Sequence, residues 1–195
     1  MALGLSYNSG EEYLPSFRYN SISGEAVIAS SEKNESGEYE KKQVEVKFPA
    51  KFAADFENLE VGFLAFKTTG PSFHLVKIGE RLPPKPDDEH KQGFRLNLWS
   101  KQYGLLAFAA TSRTLSEAVD VLHDSYLKDA GAHAGKVAVV EFSGTEKIQI
   151  KTPQGTKTYK KPLLSIVSWI DRPEELTSKA KEAPAPEHAA DDNDF

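Results

Sequence analysis

The sequence predicts a mainly β domain, a small closed barrel plugged by one helix, followed by an acidic tail. Two periodicities and one shift in composition carry that expectation. Over most of the chain apolar and polar residues alternate, which is the period of a half-buried strand. One segment, 114–130, has helical spacing instead. Residues 173–195 hold Ala, Pro and acids but almost nothing apolar before the last residue, too little to offset the entropy of ordering.

The elements follow in order. Residues 1–14 read as a flexible arm, 15–172 as the domain and 173–195 as a disordered acidic tail. Residues 17–30 form a strand pair or one long bent strand, with Gly24 at a turn or bulge. In 43–48, Val44, Val46 and Phe48 share one face and Gln43, Glu45 and Lys47 the other. Residues 61–68 are apolar on both faces and predict a central strand; 73–78 follow after the Gly70-Pro71 turn. The Pro-rich stretch 80–92 predicts a long exposed loop, and 94–101 with 105–111 a hairpin about Tyr103-Gly104. The helix stripe is Leu115, Ala118, Val119, Leu122 and Tyr126, with Thr114 and Glu117 as a capping box and Gly131 as the C′ residue. Segments 136–143, 147–151 and 158–170 complete the strands, the last irregular or at an edge because of Pro162. Curved strands with one late helix match a Greek-key OB-fold barrel best, and the surplus over five strands predicts extra hairpins.

Composition narrows the function. A chain of 195 residues supports one compact domain with extensions. It has no cysteine, which excludes disulfides, thiolate metal sites and Cys nucleophiles. The start, MALGLSYNSG, does not read as a secretory leader, and no apolar run is long enough to span a membrane. The net charge of −5 belongs to the tail. Residues 174–195 carry seven of the 29 acids and two of the 24 bases, which leaves 22 of each in the body. Such asymmetry points to nucleic-acid partners.

The most informative strand is 94–101. Phe94, Leu96 and Leu98 face one way; Arg95, Asn97, Trp99 and Lys101 face the other. Cations that track phosphates beside an indole that stacks on a base are what an unpaired nucleic acid needs, each stacked base contributing ~1–3 kcal/mol whatever its identity. The bland alternative is a solvated sheet face whose Trp covers a neighbour. Arg18 and Tyr19, Lys67 beside Phe66, Tyr103, and Arg113 ahead of the helix are further candidates, though most rings belong to a core. At the chain's end, Asp191, Asp192 and Asp194 precede Phe195, a flexible acidic tip that a pocket with a basic rim can read and that can compete for the protein's own basic groove. The alternative there is a solubilising tail.

Catalytic signatures are scarce. The sequence has no P-loop, dinucleotide fingerprint or nucleophile elbow, and its five histidines are scattered. Asp87, Asp88, Glu89 and His90 read as an acidic loop. Asp55, Glu57 and Glu60 are the one carboxylate cluster a metal nuclease could use. No cofactor is expected.

The whole pattern resembles bacteriophage and prophage single-stranded DNA-binding proteins. The residues that carry the likeness are YLPSFRYNSISGEAV, FRLNLWSKQYG, YKKPLLSIVSWIDRPEEL and the tip DDNDF. The likeness implies an OB-fold, stacking and phosphate roles for Trp99, Tyr103, Arg95 and Lys101, and recruitment of replication and recombination proteins by Asp191, Asp192, Asp194 and Phe195. It implies a non-enzymatic protein in the cytoplasm of a bacterium or phage-infected host. One departure is that Asp194 stands where bacterial tips carry Pro. A β-barrel adaptor that binds protein alone is the rival reading; a metal-dependent nucleic-acid-processing enzyme is the third.

Overall fold

The computed structural model describes residues 14–33, 36–67, 70–152 and 155–178. The chain is mainly β. Its strands are β1 (Ser16–Tyr19), β2 (Ala26–Lys33), β3 (Tyr39–Val46), β4 (Ala50–Ala54), β5 (Glu60–Lys67), β6 (Gly70–Lys77), β7 (Lys91–Ser100), β8 (Gly104–Ala110), β9 (Lys136–Thr152) and β10 (Gly155–Asp171). Helix α1 (Arg113–Asp129) joins β8 to β9, and a short helix α2 (Glu174–Ser178) follows β10. The strand order is β10-β9-β4-β7-β8-β1-β2-β3, with the β5–β6 hairpin attached to β7. β4 and β5 share one edge of β7, β5 pairing with Lys91 to Arg95 and β4 with Leu98 and Trp99. Every pair is antiparallel except β1 with β8.

The expected closed barrel is not what forms: the sheet is mixed and open. It curls until the β1–β2 turn meets β10, where Lys160 N–H donates to Ser21 O at 2.7 Å and the Tyr19 hydroxyl to Lys160 O at 2.9 Å. The ladder stops there. β10 shifts register at Leu163/Leu164 and again at Ile166/Ser168, and Pro162 has no N–H to give. Gly24 makes the close approach possible, since a Cβ there would run into the Lys160 side chain and its φ of 76° suits glycine.

The inner face of the curl is aromatic. Phe17 of β1 lies 5.4 Å from Phe52 of β4, 5.1 Å from Phe108 of β8 and 5.0 Å from Phe142 of β9. Leu96, Leu98 and Leu106 are buried around them. The α1 stripe of Leu115, Ala118, Val119, Leu122 and Tyr126 is buried as its spacing predicts. Its N-cap differs from expectation. Ser112 is the N-cap without a side-chain bond, Thr114 is buried, and Glu117 instead accepts from Arg113 Nε at 2.7 Å. At the other end Ala130 is the C-cap, which puts Gly131 at C′ as expected, and the chain goes on into a 3-10 turn, Ala130–His133.

Three further differences concern elements and their boundaries. β4, AKFAA, has little β propensity and no alternation, so its residues alone do not announce it; its pairing with β9 and β7 makes it a strand. Segments 136–143 and 147–151 are one strand, β9. The first residues of the expected disordered tail, Glu174–Ser178, form α2. No helix among the described residues is long and apolar enough to cross a membrane.

Two measurements check this core. Phe17→Ala removes the ring shared by four strands and lowers stability by about 3–5 kcal/mol, read as a fall in the denaturant midpoint at unchanged slope. His123 packs against Phe56 and Tyr126, and burial holds its pKa below the ordinary value of 6.5 against the pull of Asp124 and Asp120. The unfolded chain therefore binds this proton first, so stability falls as pH drops through 6.5. His123→Gln flattens that part of the stability–pH curve.

Candidate nucleic-acid interface

Strand alternation sorts β7 cleanly. Phe94, Leu96 and Leu98 are buried in the curl, and Arg95, Asn97 and Trp99 point outward. The register extends this outward face across the neighbouring strands. Asn97 lies opposite Ala107, Ala107 opposite Ser16, and Ser16 opposite Ala29. Arg95 lies opposite Ala109 on one side and Glu60 on the other. Arg18, two residues after Ser16, projects from the same face and is exposed, its Nε donating to Ser16 Oγ at 3.0 Å. The floor between Arg18 and Arg95 is thus made of Ser and Ala, low enough to admit a flat group.

Electrostatics tempers the arginines unequally. Arg95 lies 3.9 Å from Glu60, whose pKa is raised by burial despite Arg95 and Lys77. Arg18 pairs with no carboxylate among the described residues.

Trp99 is not an open platform. Its neighbours across the sheet are Leu105 and Ala53, and it is half-buried, packing with Leu105 and Ile170 against a small buried cluster of Ala53, Val137 and Leu176 of α2. Leu176 is 1% exposed. Trp99 Nε1 and Asn97 Oδ1 are buried with no hydrogen-bond partner among the described residues. An unpaired buried polar atom costs about 1–3 kcal/mol. α2 is held at its root by Arg172, whose guanidinium meets Asp55 Oδ1 at 2.8 Å and pairs with Glu57. Asp55 is fully buried, and its other oxygen accepts from Asn58 Nδ2 at 2.8 Å. Asp55 and Glu57 thus both meet Arg172 while Glu60 lies beside Arg95, and no group of three or more side chains that could hold a metal ion occurs among the described residues.

The remaining candidates separate. Lys101 does not continue the β7 face, because the strand ends at Ser100 and Lys101 lies in the turn. There it lines a cleft of about 300 Å³ with Lys47, Lys51 and Tyr103. The Tyr103 ring packs on Phe52, with centroids 6.2 Å apart. Tyr19 points into the core, 9% exposed, and burial pushes its hydroxyl up to about 12. It is no stacking surface, because it follows Arg18 by one residue and so faces inward. Lys67 ends β5 and pairs with Glu89 at 2.8 Å and Asp87 at 3.4 Å. Arg113 pairs with Glu117 on α1 and lines a cleft with Gln92, Gly93 and Phe94 at the start of β7. His90 is buried between Asp87, 2.6 Å from its Nδ1, and Ser72, 3.1 Å from its Nε2, so it anchors the otherwise exposed Pro-rich loop. Asp191, Asp192, Asp194 and Phe195 lie outside the described residues.

One cationic feature emerges only from the strand pairing. Past Thr145, β9 pairs only with β10 among the described residues, and the two strands run as a ribbon. Residues 146–161 carry Lys147, Lys151, Lys157, Lys160 and Lys161 against a single acid, Glu146. Lys160 stands directly opposite Lys147. Ile148, Ile150 and Tyr159 share the other face of the ribbon with Lys157 and Lys161. Lys160 Nζ donates to Ser23 O at 2.6 Å, while Lys147, Lys151, Lys157 and Lys161 make no ion pair among the described residues. Its trace in the sequence is a pair of lysine-bearing alternating runs on either side of Pro153-Gln154-Gly155. No family model, curated protein or solved structure matches the chain.

The Arg172 clamp gives a stability test. Arg172→Met strands a buried carboxylate and lowers stability by about 3 kcal/mol, the low end for a broken buried pair because the guanidinium keeps some solvent. Adding Asp55→Asn recovers part of that loss, and a double-mutant cycle in denaturant reads the coupling.

Proposed function

We propose that the chain binds single-stranded DNA without sequence preference. The observation that carries this reading is the β9–β10 ribbon, with five lysines against one acid in a body whose bases and acids are equal in number. Like charges opposed across a ladder destabilise it. A polyanion laid along the ribbon relieves that repulsion, and Tyr159 offers a ring beside the cations. The outward face with Arg18, Arg95 and Asn97 supplies a second set of contacts over a shallow Ser/Ala floor. None of these groups reads a base edge in a defined pattern, so backbone charge and stacking dominate and sequence preference is low.

The resemblance to phage single-stranded DNA-binding proteins, an OB-like barrel ancestry and a role in replication, recombination or repair belong to the same proposal. In it, Asp191, Asp192, Asp194 and Phe195 form the tip that recruits partner proteins. The protein coats rather than cleaves: Asp55 and Glu57 hold Arg172 in place.

Salt dependence tests the proposal. Binding of a fluorescent oligothymidylate weakens steeply with salt, with a log–log slope of about −0.7 for each phosphate neutralised. Changing Lys147, Lys151, Lys157 and Lys161 together to Gln makes that slope shallower by about 0.7 for each phosphate no longer neutralised. A flat salt response in the unaltered protein overturns the proposal; an unchanged slope in the variant removes the ribbon from it.

A further inference from the structure

We infer that the cleft between the end of β3 and the β7–β8 turn is a binding site for a phosphate monoester, the terminal phosphate carried by a strand end or by a free mononucleotide. The inference goes beyond the single-stranded DNA reading, whose ribbon and outward arginines meet phosphodiesters, each with a single charge.

The sign of the cleft carries the argument first. Lys47, Lys51 and Lys101 line it, and no carboxylate among the described residues does. Lys47 and Lys101 make no ion pair among the described residues, and Lys51 lies 3.3 Å from Glu141 of β9. This is not a general property of the surface. In the cleft beside α1, Arg113 shares the lining with Glu117 and Asp120. Three ammonium groups around one space repel one another. A phosphate monoester carries about −1.5 to −2 at neutral pH and three strong acceptor oxygens, so it offsets that repulsion more fully than a diester does.

The cations also stand on fixed backbone. Lys47 lies between Val46, 3% exposed, and Phe48, whose ring stacks on Phe142 with centroids 6.1 Å apart. With both neighbours turned inward, its side chain is held outward. Lys51 belongs to β4 and stands opposite Glu141 in the ladder. Lys101 opens the turn that the Ser100 and Gly104 pair closes, and within it the Tyr103 N–H donates to Ser100 Oγ at 3.1 Å. Binding an anion here orders lysine side chains but need not fold a loop, which keeps its entropic cost low.

Size and walls point to more than a bare phosphate. A volume of about 300 Å³ is at the small end for sites that take organic molecules. Tyr103, its ring packed on Phe52, and Pro49 give apolar walls, and Ser100 and Gln102 add a hydroxyl and an amide. A sugar or base attached to the phosphate meets these groups while the ammonium groups hold the charge.

The test has two arms, both on the full chain. In the first, oligothymidylates of about eight nucleotides bearing a 5′-phosphate, a 3′-phosphate or neither are compared at low salt. A strand with a terminal phosphate binds about five- to tenfold more tightly than the hydroxyl-ended strand. Changing Lys47 and Lys101 together to Gln brings that ratio to one, whereas Lys157→Gln on the ribbon leaves the ratio in place. In the second arm, thymidine monophosphate gives a saturable calorimetric titration that thymidine does not, and the Lys47→Gln/Lys101→Gln protein loses it. A signal in the first arm that depends on the two lysines assigns the site to strand ends; one in the second alone assigns it to free mononucleotides. The inference is overturned when neither signal depends on Lys47 and Lys101, and the DNA reading survives that result if the hydroxyl-ended strand still binds. If no strand binds at all, the DNA reading falls and the second arm alone decides the cleft.

Discussion

Phe17 is the constraint on which the rest of the molecule depends. Its ring meets rings from β4, β8 and β9 at 5.0–5.4 Å, so four strands are held to one centre. A strand has only two faces. Once Phe17, Leu96 and Phe108 point inward, Arg18, Arg95, Asn97, Ala107 and Ala109 must point out. A slip of one residue would bury the arginines and expose the rings, at a cost no other contact could offset. The composition of the outward face is thus a by-product of the packing of the inward one. Its position is set by apolar burial and not by any contact among the polar groups themselves.

The same logic explains where the protein tolerates unfavourable groups. Asp55 is fully buried, yet Arg172 and Asn58 satisfy both of its oxygens. Charge burial there is compensated, as a structural clamp requires. Asn97 Oδ1 and Trp99 Nε1, on the strand that β4 leads away from, are not compensated among the described residues. The two situations differ in what meets the polar atoms: a guanidinium and an amide in one case, no hydrogen-bonding group among the described residues in the other.

Much of this is legible in the residues, and the failures have physical reasons. The alternation of 94–101 places Arg95, Asn97 and Trp99 outward correctly, because three large apolar residues fix the phase. Alternation alone also assigns Lys101 to that face, because it does not report the strand end at Ser100. Adjacency groups Tyr19 with Arg18, although adjacent strand residues face opposite ways, and the structure buries its ring. β4 escapes notice because alanine carries no strand signal; here its small side chain is what lets Trp99 and Leu176 pack over Ala53. The burial of Leu176 is invisible because one leucine in an acidic, Pro-rich stretch looks like nothing until the residues it packs with are known. Closure of the barrel follows from strand count and helix position, which do not report bulges. β10 carries two register shifts against β9 as well as Pro162, and the sheet stays open.

The ribbon makes the last link between stability and function. Most of β9 and β10 beyond Thr145 buries little, so its two strands rely on each other and on Ile148, Ile150 and Tyr159 along one face. Selection for stability alone would place opposite charges across such a ladder, because each cross-strand ion pair adds to it. The chain does so at Lys161 and Glu146 but does the reverse at the next pair, Lys147 and Lys160, and commits a backbone carbonyl, Ser23 O, to hold one of those two ammonium groups. A local arrangement that weakens the free protein is most simply understood as one completed by something negative. The outward arginines repeat the pattern on a firmer base: Arg18 stands clear of carboxylates among the described residues, and Arg95 keeps its one acid at 3.9 Å. On the single-stranded DNA proposal, these two places on a body of zero net charge are where the strand lies.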